Sequence, residues 1–167
     1  MVLTKEELIT SLQNEVRILV HLAGKVDQSK LDYRPMPKQR STIELLRYMV
    51  IMGPMLVRAI KAGAFDGAAW GAAEAAAKAM NFDQVVAAIQ KQSGEFALLS
   101  GWTDADFRGL IEMFGSKSSR GSLLVNMVLS GYAAYRAQLF CYLKSCGRED
   151  LNTMNLWAGV DAPMPSA

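Results

Sequence analysis

The chain has 167 residues, a length that favours one domain with a core of its own. Hydrophobic residues make up 51% and charged residues 20%, which excludes a mainly disordered chain. The formal net charge is +2 and basic residues do not cluster, so the sequence does not indicate nucleic-acid binding. No apolar stretch reaches the ~20 residues that cross a bilayer, and we expect no membrane segment.

The first predicted helix begins at a capping box. The Thr4 hydroxyl can accept the backbone N–H of Glu7 while the Glu7 carboxylate reaches back to Thr4. Apolar residues then recur at three- and four-residue steps, and Gly24 stands where a helix-ending glycine belongs. The acidic residues of this opening are unlike the apolar run of a secretory leader, so we expect none.

The second predicted helix begins after a segment that prolines hold extended. Pro35 and Pro37 lack a backbone donor and restrict the residues before them. A second capping box, Ser41 with Glu44, opens a helix that continues to about Ala62.

An alanine-rich stretch from Gly63 to Met80 separates this helix from the third, and we interpret it as a weakly packed helical connector. The third helix begins at Asn81 and continues to about Ser100. As helix, the connector would reach roughly 27 Å, enough to bring the chain back along a bundle. The second and third helices are therefore predicted to run parallel.

The fourth predicted helix is the longest, from Ser119 to Gly147, and it follows an irregular segment in which no strand is predicted. The predicted fold is all-α, a four-helix bundle of up-down-down-up topology with a long crossover between helices 2 and 3. Residues 1–150 form this bundle, and residues 151–167 form a C-terminal arm.

Few residues suggest chemistry. His21 is the one histidine and is interpreted as a helix-surface or groove residue, with ligand contact as the alternative. Cys141 and Cys146 are predicted to be buried free thiols, which fits a reducing, cytoplasmic location. Methionines and tyrosines recur at helical spacing on helices 2 and 4, where they form either plain core or a pocket for a small apolar ligand.

Two segments of the sequence resemble the DinB family, the DinB/YfiT-like four-helix bundles. They are Arg34–Pro37 with Arg40–Met49, and Ser130–Lys144. The resemblance implies an up-down-down-up bundle that often dimerises. Many members hold a divalent metal on three histidines, and some are thiol-dependent transferases or isomerases.

This sequence departs from the family at the metal ligands. Tyr48 stands where the helix 2 histidine is expected, and Gly131 and Tyr135 stand where the helix 4 pair is expected. Glycine supplies no ligand and phenols are poor ligands at neutral pH, so we expect no metal and no cofactor. These three positions are instead the predicted ligand pocket. Its predicted lining residues are Met52, Arg136, Gln138 and His21.

The function that follows is a DinB-like protein that has lost the three-histidine site. It is a non-catalytic small-ligand-binding or structural protein, expected to be a homodimer, with no nucleic-acid or membrane partner. The alternative is a thiol-dependent transferase or isomerase with His21 or Tyr135 as proton carrier. Enzymatic activity is left open, and the non-catalytic role is favoured.

Overall fold

The computed structural model describes residues 3–163, and regular structure in them is helical apart from one hairpin. The elements are α1 (Lys5–Ala23), α2 (Thr42–Ala62), α3 (Gly67–Lys78), α4 (Phe82–Ala97), α5 (Asp104–Arg108), β1 (Leu110–Met113), β2 (Ser116–Ser119), α6 (Arg120–Leu123) and α7 (Ser130–Ser145). A π-helical segment, Leu124–Leu129, joins α6 to α7 into one long helix, and a second one, Met154–Ala158, follows α7. Short 3₁₀ turns cover Gln28–Lys30 and Leu98–Gly101.

The predicted helix starts are confirmed in atomic detail. Thr4 and Glu7 form the predicted capping box at α1, and Ser41 and Glu44 form the one at α2. Asn81 caps α4 in the same reciprocal way. These caps satisfy backbone donors that have no partner inside a helix, and they fix where each helix begins.

The four long helices form a bundle whose topology follows from contacts between their ends. Lys5 Nζ donates to the Ser100 carbonyl and Gln13 donates to the Ser93 carbonyl, so α4 runs antiparallel to α1. The long helix that ends in α7 runs parallel to α1. Lys5 and Leu8 at the start of α1 line one cavity with residues 121, 122 and 125, and Glu15 pairs with Arg136 further along both helices.

The contacts of α2 complete the arrangement. Arg120 donates to the Ile60 carbonyl at one end of α2, and Tyr142 donates to the Arg40 carbonyl just before the other end. Helix α2 is therefore antiparallel to α7 and parallel to α4. The up-down-down-up topology predicted from the length of the connector is confirmed.

The crossover between α2 and α4 is itself helical, as predicted. Helix α3 packs along α2, and Ala77 is its one buried residue. Trp70 of α3 is partly buried and packs against the hydrophobic core, which α1, α2, α4 and the last helix enclose.

One buried polar cluster ties three of the core helices together. The Gln92 amide nitrogen donates to the carbonyls of Met49 and Val50, at 3.0 and 2.8 Å, and its oxygen accepts the Tyr132 hydroxyl. A Cβ at Gly53 would lie 2.1 Å from that hydroxyl oxygen. Glycine is therefore required where Tyr132 approaches α2.

The prediction of an irregular segment before the last helix is wrong in one respect. Strands β1 and β2 form an antiparallel hairpin with Met113 paired to Ser116. Each strand has only four residues, and only Ile111 and Met113 turn into the core. Two buried positions are too few to establish a two-residue period in the sequence.

The described part of the predicted arm packs against α1. Arg17 donates to the carbonyls of Ala158 and Gly159, and Arg136 donates to the Leu156 carbonyl. Residues 1–2 and 164–167, the tip of the predicted arm among them, lie outside the described residues. The division at residue 150 stays a prediction.

Two further predictions concern the cysteines and the membrane. Both cysteines are free, but Cys141 is exposed and Cys146 only partly buried, so the prediction that they are buried is wrong. Cys141 turns away from the core on α7, whereas Leu139 and Leu143 beside it turn inward. Within residues 3–163, no helix combines the length and the apolar character that a bilayer crossing requires.

Candidate functional site

An open groove lies on the outside of the bundle between α2 and the last helix, with a cavity volume of about 560 Å³. Helix α2 forms one wall and the last helix forms the opposite wall. The crossover and the tip of the β1–β2 hairpin close the two remaining sides. The twelve lining residues are Tyr48, Met52, Leu56, Phe65, Trp70, Phe114, Asn126, Met127, Ser130, Gly131, Ala134 and Tyr135.

The structure brings four of the predicted site residues together in this groove. Tyr48 and Met52 lie one turn apart on α2, and Gly131 and Tyr135 lie one turn apart on α7. The Tyr48 and Tyr135 rings meet edge to face with centroids 5.0 Å apart. The three positions at which the family's metal-binding histidines are expected therefore line one groove.

Gly131 leaves room for the side chain of Met52. A Cβ built at Gly131 would lie 3.1 Å from both Sδ and Cε of Met52, closer than ordinary van der Waals contact. The thioether fills the space that a side chain at Gly131 would need. Because a methionine side chain is flexible, this end of the groove can adapt its shape.

An aromatic wall on the far side of the groove was not predicted from the sequence. Phe65 precedes α3, Trp70 lies on α3 and Phe114 lies in the hairpin turn. Ring centroids are 5.4 Å apart for Phe65 and Trp70, and 5.3 Å apart for Phe65 and Phe114. The sequence does contain a signal for this wall, namely two bulky aromatic residues in an otherwise alanine-rich connector. A connector that only bridges two helices has no need of large aromatic side chains.

Tyr48 is the residue that joins the aromatic wall to the bundle. Its ring centroid lies 6.2 Å from that of Trp70 and 4.0 Å from the Arg40 guanidinium. Burial, and to a lesser degree the neighbouring phenol of Tyr135, raise the pKa of Tyr48 to about 12. The phenol is therefore protonated at neutral pH, and it can donate a hydrogen bond.

The structure does not bring Arg136 to the groove. Its Nε lies 2.9 Å from Oε2 of Glu15, and both side chains are mostly buried on the opposite side of α7, facing α1. Burial raises the pKa of Glu15, and the positive charge of Arg136 opposes that shift. This pair holds α1, α7 and the C-terminal segment together, which is a structural role.

Gln138 and His21 also lie elsewhere. Gln138 donates to the Tyr142 hydroxyl at 2.6 Å, close to the loop before α2. His21 Nε2 lies 3.2 Å from the amide nitrogen of Asn155 and 3.8 Å from Asp161. Burial and the nearby Lys25 lower the pKa of His21, although Asp161 opposes this. His21 thus contacts the C-terminal segment and does not line the groove.

The residues present at the three family positions do not fit a divalent metal. Gly131 offers no side-chain donor, and the raised pKa of Tyr48 disfavours the phenolate that would bind an ion. Elsewhere in residues 3–163, no three His, Cys, Asp or Glu residues come together in an arrangement that could hold a metal. No step of chemistry through a metal follows from this site.

Comparison with known proteins bears on the fold. No family model matches the sequence, and no curated protein matches it. Among solved structures, that of a DinB-like protein, YjoA from Bacillus subtilis, is similar with a TM-score of 0.67, covering 87% of this chain and 94% of that chain. The chain has a DinB-like fold. The two sequences are 18% identical, so the likeness extends to the fold alone.

The DinB-like fold accounts for the placement of the groove. Its parallel α2 and α4 require a long crossover, and that crossover passes beside the outer face of α2. Phe65 and Trp70 reach the groove for this reason. The open side of the bundle is thus a consequence of topology.

Proposed function

We propose that this chain is a divergent member of the DinB superfamily that binds a small organic molecule without a resident metal. The observation that carries the proposal is the groove itself. It gathers Tyr48, Met52, Gly131 and Tyr135 with an outer aromatic wall around about 560 Å³, a volume within the range of small-molecule sites.

The composition of the groove supports binding rather than catalysis. Tyrosine, methionine and tryptophan supply apolar contact surface with few polar atoms, and no carboxylate or imidazole lines this cavity to move a proton at neutral pH. The protonated Tyr48 phenol supplies a hydrogen-bond donor that can orient a ligand. These features are typical of a recognition site.

The binding test uses the neutral fluorescent probe N-phenyl-1-naphthylamine. Ala134 is exposed and lines the groove, so Ala134→Phe fills the cavity without touching the core. Ala76→Phe places the same side chain on the exposed face of α3, outside the groove. We expect the probe to bind the wild type and the Ala76 variant, and to lose most of its affinity for the Ala134 variant. Equal binding to all three proteins would refute the proposal.

Elemental analysis of the purified protein tests the absence of a metal. After extensive dialysis we expect far less than one equivalent of zinc, nickel or iron per chain. About one equivalent would restore the metalloenzyme interpretation.

The alternative function is a thiol-dependent transferase or isomerase. His21 cannot serve as its proton carrier in the groove, because His21 contacts Asn155 instead. Consumption of glutathione or a related low-molecular-weight thiol by the protein would favour that alternative.

We further propose that the chain is a homodimer. Several large apolar side chains are exposed among residues 3–163, and covering them in a dimer would remove apolar surface from water. They include Leu98, which is 76% exposed, and Trp157, which is 67% exposed. Light scattering should therefore give about twice the chain mass of 18.3 kDa at micromolar concentration. A monomer mass at that concentration would contradict this.

A further inference from the structure

The turn of the β1–β2 hairpin holds an aromatic residue in an unfavourable backbone conformation. Phe114 and Gly115 are its two loop residues, with φ of +53° and +75°. A two-residue turn with both φ values positive matches the twist of the strands, but it favours Asn, Asp or Gly at its first position. Among residues 3–163, Phe114 is the one non-glycine residue with positive φ.

The core of the protein does not explain this phenylalanine. Ile111 and Met113 anchor the hairpin by turning into the core, whereas the Phe114 side chain is 61% exposed. An exposed aromatic side chain in a strained turn is unfavourable for the isolated protein in two respects. Strained residues of this kind concentrate at ligand sites, where the surrounding structure holds them.

Phe114 is the outermost member of a continuous series of aromatic rings around the groove. Its centroid lies 5.3 Å from that of Phe65, Phe65 lies 5.4 Å from Trp70, and Trp70 lies 6.2 Å from Tyr48. Tyr48 in turn meets Tyr135 at 5.0 Å. The series borders the groove from the hairpin turn to Tyr135, so a bound molecule would meet aromatic rings along this border.

The charge of the groove restricts what can bind there. None of its twelve lining residues is Asp, Glu, Lys, Arg or His. The Arg40 guanidinium lies against the Tyr48 ring, but it lines an adjoining cavity, which Tyr48 shares with Glu44 and Arg47. A ligand carrying a charge would lose its hydration in the groove without gaining a charged partner.

We propose that the groove binds a neutral, flat aromatic molecule and that Phe114 is one of its ligand-contact residues. This inference rests on the proposed function and specifies its ligand class. Stacking on Phe114 and Trp70 supplies the contact, and it gives a reason for the phenylalanine in a turn that favours asparagine.

Two probes that differ by one charged group test the ligand class. N-phenyl-1-naphthylamine is neutral, and 8-anilinonaphthalene-1-sulfonate has the same aromatic skeleton with an added sulfonate. We expect the neutral probe to bind the wild type about tenfold or more tightly, because the groove gives the sulfonate no cation. Binding that Ala134→Phe abolishes is assigned to this groove. If the sulfonate probe binds there as tightly as the neutral probe or more tightly, the proposal of a neutral ligand is wrong.

The Phe114→Asn variant tests the role of the turn residue. Asparagine tolerates positive φ, so the variant should have a higher melting temperature than the wild type. It should also bind N-phenyl-1-naphthylamine about threefold to tenfold more weakly, since one aromatic contact is lost. Leu110→Thr is the control, because Leu110 is 63% exposed on the same hairpin and does not line the groove. It should leave the affinity unchanged.

The outcomes separate the two proposals. If Phe114→Asn stabilises the protein and binds the probe as tightly as the wild type does, Phe114 is not a contact residue, although the groove still binds ligands. If the variant melts below the wild type, the argument from backbone strain is wrong. If the wild type does not bind the neutral probe, or if Ala134→Phe binds it as tightly as the wild type does, the proposed function itself fails.

Discussion

Restoring histidine at the three family positions should create a metal site, and the structure indicates how good that site would be. The Tyr48 and Tyr135 ring centroids are 5.0 Å apart. Two imidazoles bound to one tetrahedral zinc ion, with Zn–N bonds of about 2.0–2.1 Å, have centroids about 5 Å apart. The triple variant Tyr48→His, Gly131→His, Tyr135→His therefore needs little backbone movement. Its one obstacle is Met52, whose flexible thioether must move from its position 3.1 Å from the new Cβ.

The expected magnitude follows from linkage between binding and folding. If the three imidazoles give a Kd of about 1 μM, then 100 μM zinc stabilises the folded variant by about 2.7 kcal/mol. For a chain of this size that corresponds to a rise in Tm of roughly 5–11 °C. The assay is thermal unfolding followed by circular dichroism, with and without zinc chloride.

The controls decide how the result is read. The wild type should show no zinc-dependent shift, and the double variant Tyr48→His, Tyr135→His should shift less than half as far as the triple variant because it lacks one ligand. A triple variant that is fully helical but gains no stability from zinc would refute the assignment of these positions to the family's ligands.

Three further predictions concern the core and the helix caps. Tyr132→Phe should lower the free energy of unfolding by about 1–3 kcal/mol in denaturant titrations, because it leaves the buried Gln92 oxygen without its donor. Tyr33→Phe is the control and should have almost no effect, because the Tyr33 hydroxyl makes no hydrogen bond within residues 3–163. Gly53→Ala should lower the free energy of unfolding by about 1–3 kcal/mol despite the better helix propensity of alanine, since its Cβ would lie 2.1 Å from the Tyr132 hydroxyl oxygen. An unchanged free energy of unfolding would show that Tyr132 can move. Hydrogen bonding to the backbone amide of its capping box lowers the pKa of Glu44, so the stability it contributes is present above its ordinary pKa of 4.5 and is lost as the pH falls below that value. Glu44→Ala should therefore reduce Tm at pH 7 and much less at pH 3, and an equal loss at both would contradict the carboxylate's role.

The sequence predicted the helices and their order well because those features depend on local chemistry. Capping boxes at Thr4, Ser41 and Asn81 are short-range hydrogen-bond patterns, and the structure confirms each of them. The parallel arrangement of α2 and α4 followed from the length of the crossover, which is a geometric constraint. Neither inference requires knowledge of how distant residues meet.

The parts that were missed depend on contacts between distant residues. The Gln92 amide reaches Tyr132 and two carbonyls of α2 only after the bundle has formed, and no local pattern indicates that meeting. Arg136, a predicted lining residue of the pocket, directly follows Tyr135 in the sequence. Adjacent positions on a helix differ by about 100° in direction, however, and Arg136 faces Glu15 across the core.

The aromatic wall has a consequence for how this protein can change through evolution. Its three residues belong to the crossover and to the hairpin turn, and of the three only Trp70 packs against the four-helix core. Under the proposed function, substitutions at Phe65 or Phe114 would alter what the groove recognises at little cost in stability, whereas substitutions at Tyr132 or Gln92 endanger the whole fold. Such separation lets a lineage exchange one ligand for another while the bundle stays constant. Homologues should accordingly diverge fastest around Phe65, Trp70 and Phe114.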